Sequence, residues 1–122
     1  MRQLILAVAL LAPAAWAVED IDAQTLLSQP QAERLILDVR TPEEFADGHV
    51  PNAVNISHTE LEGRLAEVLA YQDKPVVVYC RSGRRAGIAA DILEKAGFSQ
   101  VQHLVGDWKG WQAEQLPVSK ED

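Results

Sequence analysis

The 122-residue chain has little cysteine: Cys80 is the only one, so no internal disulfide can form. It also lacks a membrane-spanning run, because the apolar stretch Leu4–Ala12 is nine residues long and ends at Pro13, whereas a spanning helix needs roughly 20. Basic charge is scarce. Eleven Lys and Arg face 18 Asp and Glu, for a formal net charge of −7, which removes the electrostatic reason to bind nucleic acid or an anionic membrane. The three histidines, His49, His58 and His103, are scattered and without the clustering or acidic partners of a metal site, so no metal is expected. No repeat, low-complexity tract or Gly/Ser/Pro-rich linker follows residue 17, which leaves a second domain nowhere to begin.

What is present at the amino end reads as an export signal. Met1-Arg2-Gln3 leads into the apolar run, and Ala15-Trp16-Ala17 forms an A-x-A cleavage site before acidic Val18-Glu19-Asp20. Cleavage after Ala17 and a periplasmic location are expected, with no membrane attachment afterwards. Residues 18–122 then form one domain of 105 residues, enough for a single core, and a monomer is expected. Residues 1–17 contain one basic and no acidic residue, so the charge of the remainder is −8. Cysteines in an oxidising compartment usually pair. A lone thiol there is either an inert small hydrophobe or a reactive group kept for chemistry.

Short runs rich in apolar residues at Leu35–Val39, Ala53–Ile56, Val76–Tyr79 and Val101–Leu104 read as strands buried on both faces, Val76–Tyr79 without a polar residue. Helical patterns lie between them. Asp22 caps a helix over Ala23–Leu27, and Thr41 caps one over Pro42–Ala46 with Pro in its first turn. Ser57-x-x-Glu60 reads as a capping box opening a helix from His58 to Ala70, with Leu61, Leu65, Val68 and Leu69 on one face. Arg84–Ala96 carries Ile88, Ile92 and Leu93 at helical spacing before Gly97 as a stop, and Trp108 and Trp111 sit on a last helix. The alternation predicts an α/β fold of three layers, a parallel sheet of four to five strands with helices on both faces.

Ligands of such a sheet bind beyond the carboxyl ends of the strands, and Val76–Tyr79 ends at Cys80. Arg81-Ser82-Gly83 then forms a tight loop into the next helix. A strand, a tight loop and a helix N-terminus make an anion cradle, since unpaired N–H groups and the helix dipole both favour negative charge. Arg81, Arg84 and Arg85 concentrate three basic residues within five positions of an acidic chain. A thiolate at Cys80 is expected to be favoured by the same donors.

Cys80-Arg81-Ser82-Gly83-Arg84-Arg85 resembles the active-site loop of rhodanese-like sulfurtransferases. Leu37-Asp38-Val39-Arg40-Thr41-Pro42-Glu43-Glu44-Phe45 and Gly48-His49-Val50-Pro51-Asn52-Ala53-Val54-Asn55-Ile56 resemble that family's two other signatures, in the same order and spacing. Leu104 to Trp111 is similar to its C-terminal Gly-Gly…Trp segment, with Asp107 in place of the second Gly. The resemblance implies the rhodanese-like fold in a single-domain form, close to small periplasmic thiosulfate sulfurtransferases. It also implies a ping-pong reaction without organic cofactor. Cys80 takes the outer sulfur of thiosulfate as a persulfide and passes it to cyanide or a thiol. Arg81 and Arg85 are then candidates for holding the sulfonate, and the loop Arg81, Ser82, Gly83, Arg84 and Arg85 for binding substrate.

Two rivals remain. A phosphatase on this scaffold needs Arg six positions after Cys, where this chain has Ala86, and His before it, where this chain has Tyr79. A persulfide carrier for a partner protein needs the same loop as an enzyme. Around the site, Asp38, Arg40 and His58 are candidate rim residues. The expectation for Asp38 is hydrogen bonding to loop amides, and for Arg40 pairing with Glu44. His49, Trp108 and Trp111 are read as structural, and His103 as a strand surface residue.

Overall fold

The computed structural model describes residues 18–121; the expected export signal, residues 1–17, lies outside them. Five parallel strands form one sheet: β1 (Glu19–Ile21), β2 (Leu35–Asp38), β3 (Val54–Asn55), β4 (Val76–Tyr79) and β5 (Val101–Leu104). Their spatial order is β1-β5-β4-β2-β3. Four of these were legible as apolar runs. β1 was not, because its Glu19 and Asp20 are exposed and it becomes a strand only by pairing in parallel with β5, Glu19 opposite Gln102 and Ile21 opposite Leu104. Polar residues on an edge strand also discourage pairing with another chain.

The central strands are buried on both faces, and their two-residue period divides the core. Leu35, Leu37, Val76, Val78 and Val101 face one layer, packed on Leu61, Val68, Ala86, Ala89, Ala90, Leu93 and Phe98. Ile36, Val77, Tyr79, Ile21 and Leu104 face the other, packed on Ala23, Leu26, Val50, Trp108 and Trp111. Each fully buried Val, Leu or Ile contributes roughly 1.5–3 kcal/mol relative to exposure, so the sheet centre is the main source of stability.

The helices are α1 (Ala23–Ser28), α2 (Pro42–Asp47), α3 (Arg84–Lys95) and α4 (Asp107–Ala113). Asp22 caps α1 by accepting from the Thr25 N–H at 2.8 Å. Thr41 caps α2 in a complete capping box with Glu44. The expected Ser57–Glu60 capping box does not form. Ser57 Oγ instead donates to the Arg40 carbonyl at 3.0 Å, and residues Leu61–Tyr71 run as two 3-10 pieces meeting at a kink at Arg64 (φ −123, ψ 18). Gly63 weakens helix at that point, and Arg64 is held across the kink by Glu60 and Glu67. Leu69, expected on the apolar face, is exposed. On α3, Ile88, one of the three apolar residues expected at helical spacing, is exposed, and alanines 86, 89 and 90 with Leu93 form the buried face. That small-residue face lets α3 lie close over β4 and β5.

Candidate active site

Cys80 follows β4 at the carboxyl edge of the sheet, as the sequence requires, but it is not open to solvent: its exposure is 1%. It belongs to the apolar layer beneath α3, beside Val39, Val78 and Ala86. The loop over it is built by Gly83, which caps α3 with a left-handed backbone (φ 114, ψ −22). A side chain is disfavoured in that conformation. The turn brings the Gly83 N–H to 3.0 Å from Cys80 Sγ, donating to the sulfur. The first-turn amides of α3 point the same way along the helix axis and have no intrahelical partners, so partial positive charge converges on the loop.

Two of the three guanidinium groups on this loop differ from the third in what they touch. Arg85 is engaged by Glu44, Nη1 to Oε1 at 2.7 Å and Nη2 to Oε2 at 3.1 Å. Glu44 Oε1 also accepts from the Thr41 N–H and hydroxyl, so one carboxylate ties the start of α2 to the start of α3. The expectation of an Arg40–Glu44 pair is thereby corrected, and the fork of Arg85 is directed at Glu44. Among the described residues, no ion pair holds Arg81 or Arg84, and both are exposed, as is Ser82. The hydrogen bond to Glu44 holds the Arg85 guanidinium firmly protonated, against the effect of its partial burial.

The Arg85 hydrogen bonds pull the Glu44 carboxyl down from 4.5 to about 2. A depressed carboxyl contributes stability that is complete above its unfolded value and is lost as the folded group protonates. The free energy of unfolding of the wild type is therefore expected to decline as pH falls from 4.5 toward 2, with a shallower decline in Glu44→Gln. Urea titrations at several pH values check this, and parallel slopes for the two proteins would rule it out.

Asp38 and Arg40 do not form a rim. Both are buried, at 0% and 2% exposure, on the Trp108 side of the sheet. Asp38 accepts the Arg40 backbone N–H at 2.9 Å, the Arg40 Nη2 at 2.6 Å and the Tyr79 hydroxyl at 2.7 Å. Arg40 also donates to the Gly48 carbonyl at 2.7 Å and lies over the Trp108 ring at 4.8 Å. Burial, then Asp38, pushes the Tyr79 hydroxyl far above its usual range, so it stays a donor. This network fixes the β2 and β4 ends from which the site is built. His58 lies at the carboxyl edge beyond β2, half-buried, with its N–H donating to the Val39 carbonyl. His49 is structural as expected: its ring stacks on Phe45 and contacts the Phe45 carbonyl at 2.8 Å. Trp111, 1% exposed, donates to the Pro117 carbonyl.

Sequence reasoning missed the groups behind the loop. Asp107 adopts φ +53 where the resembled pattern has Gly, and its Oδ1 accepts the Cys80 N–H at 3.0 Å. The next two amides of α4 complete the clasp, Trp108 N–H to the Cys80 carbonyl at 2.9 Å and Lys109 N–H to the Arg81 carbonyl at 3.1 Å. His103, expected as a plain surface residue, places Nε2 at 3.0 Å from both Asp107 oxygens. The available signal was a His four residues before an Asp that replaces a pattern glycine.

A sequence model of the rhodanese-like domain matches residues 19–114. The chain belongs to the rhodanese-like domain family. Within that family it is 36% identical over 104 residues to a protein of Allochromatium vinosum named sulfurtransferase, covering 83% of this chain and 94% of that one. It is 41% identical over 76 residues to YqhL of Bacillus subtilis, covering 62% of this chain and 59% of YqhL. It is 37% identical over 70 residues to the thiosulfate sulfurtransferase PspE of Escherichia coli, covering 57% and 67%. The chain thus spans well under two thirds of YqhL. The crystal structure of a rhodanese-related protein from Thermoplasma volcanium superposes with a TM-score of 0.71 at 30% identity, covering 84% of this chain and 99% of that one. The expected rhodanese-like α/β fold, with a five-stranded parallel sheet, is the fold observed.

Proposed function

We propose that this rhodanese-like protein is a sulfurtransferase that carries sulfane sulfur as a persulfide on Cys80. The observation that carries this is the Gly83 N–H donating to Cys80 Sγ at 3.0 Å, at a strand end facing a helix N-terminus and arginines. Those donors stabilise a sulfur anion before and after it gains a second sulfur. The Cys80 thiolate attacks the outer sulfur of a donor such as thiosulfate; a new S–S bond forms as the old one breaks, and sulfite leaves with the bonding pair. A thiophilic acceptor, cyanide or a thiolate, then attacks the outer persulfide sulfur and returns the Cys80 thiolate. A persulfide holds the transferable atom about 2 Å beyond Sγ, which lets a nearly buried cysteine hand it on. Kinship with the thiosulfate sulfurtransferase PspE supports thiosulfate as donor.

Arg81, exposed and without an ion-pair partner among the described residues, is assigned to the donor's sulfonate, with Arg84 beside it. Arg85 supplies charge while remaining clamped by Glu44. The proposal extends to location: export with cleavage after Ala17, which the A-x-A triplet supports.

Intact mass before and after thiosulfate tests the reading. A gain of about 32 Da, one sulfur atom on a thiolate, is expected in the wild type and absent in Cys80→Ser; a wild type that gains nothing from thiosulfate or other sulfane donors refutes it. Arg81→Ala is expected to keep its fold and raise KM for thiosulfate about tenfold, a loss of one charged hydrogen-bonding partner. Unchanged kinetics would remove Arg81 from the site. Uptake of sulfur without turnover toward cyanide or small thiols would mark a carrier instead of an enzyme.

A further inference from the structure

The peptide of Cys80 is gripped from behind on both sides. Its N–H donates to Asp107 Oδ1 at 3.0 Å and its carbonyl accepts from the Trp108 N–H at 2.9 Å. Using a carboxylate for the first of these contacts brings a cost, because Asp107 is 3% exposed and a buried negative charge opposes an anion built next to it. Gly83 lies against the same carboxylate, a Cβ on it falling 3.3 Å from Asp107 Oδ2. The charge is thus directly under the turn that donates to the sulfur.

The compensating cation is His103. Its Nε2 is 3.0 Å from each Asp107 oxygen, and its Nδ1 faces Asp20 of β1 at 3.8 Å. Asp91 and Glu94 of α3 line the same groove, of about 400 Å³, together with Asp20, Gly83 and His103. Besides His103, the titratable side chains lining that groove are the carboxylates Asp20, Asp91 and Glu94, which favour the charged imidazole; burial opposes it, and cleavage after Ala17 would add the Val18 α-ammonium to the same groove.

We propose that His103 and Asp107 are a positioning pair for Cys80, Asp107 anchoring the Cys80 peptide and the His103 imidazolium cancelling the carboxylate charge behind the sulfur. The inference rests on the persulfide reading of Cys80 and adds the groups that set its surroundings. The hydrogen bond to Asp107 raises the His103 imidazole above 6.5. A neutral imidazole can still donate from Nε2, so deprotonation removes the charge while leaving the hydrogen bond. Geometry is then constant across the titration and only the electrostatics at Cys80 change.

Two measurements on the folded protein test this. Sulfur loading from thiosulfate, followed by mass in single turnover, is expected to slow about tenfold as pH rises through the His103 titration, the effect of one uncompensated charge at close range. His103→Gln keeps a neutral donor and is expected to lose that limb and stay at the slower rate. Asp107→Asn keeps the acceptor for the Cys80 N–H and should also lose the limb, with the imidazole falling back toward 6.5 by NMR. A limb that persists in His103→Gln, or an imidazole that titrates unchanged in Asp107→Asn, overturns the proposal. The second measurement needs no sulfur donor. In Cys80→Ser, where no thiol titrates, the residue 80 amide resonance should follow His103 protonation and cease to do so when Asp107→Asn is added. A wild type that takes up no sulfur would therefore sink the sulfurtransferase reading, while the amide titration would still decide the pair.

Discussion

Arg40→Ala is expected to lower the free energy of unfolding by about 3–5 kcal/mol, the loss typical when one member of a buried ion pair is removed. Asp38 is 0% exposed, and its carboxylate would keep only the residue 40 amide and the Tyr79 hydroxyl as donors. The Gly48 carbonyl would lose the donor it has at 2.7 Å, and the Trp108 ring its covering guanidinium at 4.8 Å. Arg40→Lys should recover part of the loss, because an ammonium restores charge without the planar fork. Urea denaturation of the three proteins at neutral pH reads the effect; a loss below about 1 kcal/mol in Arg40→Ala, the level of an exposed pair, would show that the network contributes little.

Gly83→Ala has the second large expected effect, this time on chemistry. At φ +114 an alanine is strained, and its Cβ meets the Asp107 carboxylate at 3.3 Å, so the turn or the carboxylate gives by a few tenths of an ångström. The cost in stability is about 1–3 kcal/mol. The cost in sulfur loading is greater, about 100-fold or more, as for removal of one oriented backbone donor from a developing anion, because the displaced group is the N–H at 3.0 Å from Cys80 Sγ. Gly87→Ala is the control. Gly87 lies within α3 with open space about its added Cβ, and alanine there should stabilise by about 0.5–1 kcal/mol without changing loading. Wild-type loading in Gly83→Ala would remove that amide from the mechanism.

The parts of the fold that could be read in the chain are those governed by local rules. β4 and β5 match their expected strand bounds residue for residue, and the caps Asp22 and Thr41 act as their side-chain chemistry suggests. The misread parts are those where a side chain had a better distant partner. Ser57 serves the Arg40 carbonyl instead of a helix start, and Glu44 is taken by Arg85, 41 residues away, instead of Arg40. Arg40 is close enough in sequence to Asp38 for either pairing to look plausible; burial of both decided it. β1 has no apolar run because it is an edge strand held by its pairing with β5.

By itself the sequence determined the family, the α/β alternation and the position of the only thiol at the end of a central strand, because apolar period, capping residues and loop glycine act within a few residues of one another. Only the tertiary structure decided what surrounds that thiol. Cys80 and Asp107 are 27 residues apart in the chain and meet because β4 and β5 pair side by side, so that the first turn of α4 closes over the end of β4. That closure sets Asp107 behind Cys80 and gives the sequence-local His103–Asp107 pair its place beside the thiol, while the clamp on Arg85 comes from the pairing of β2 with β4, which brings Glu44 of α2 to the start of α3.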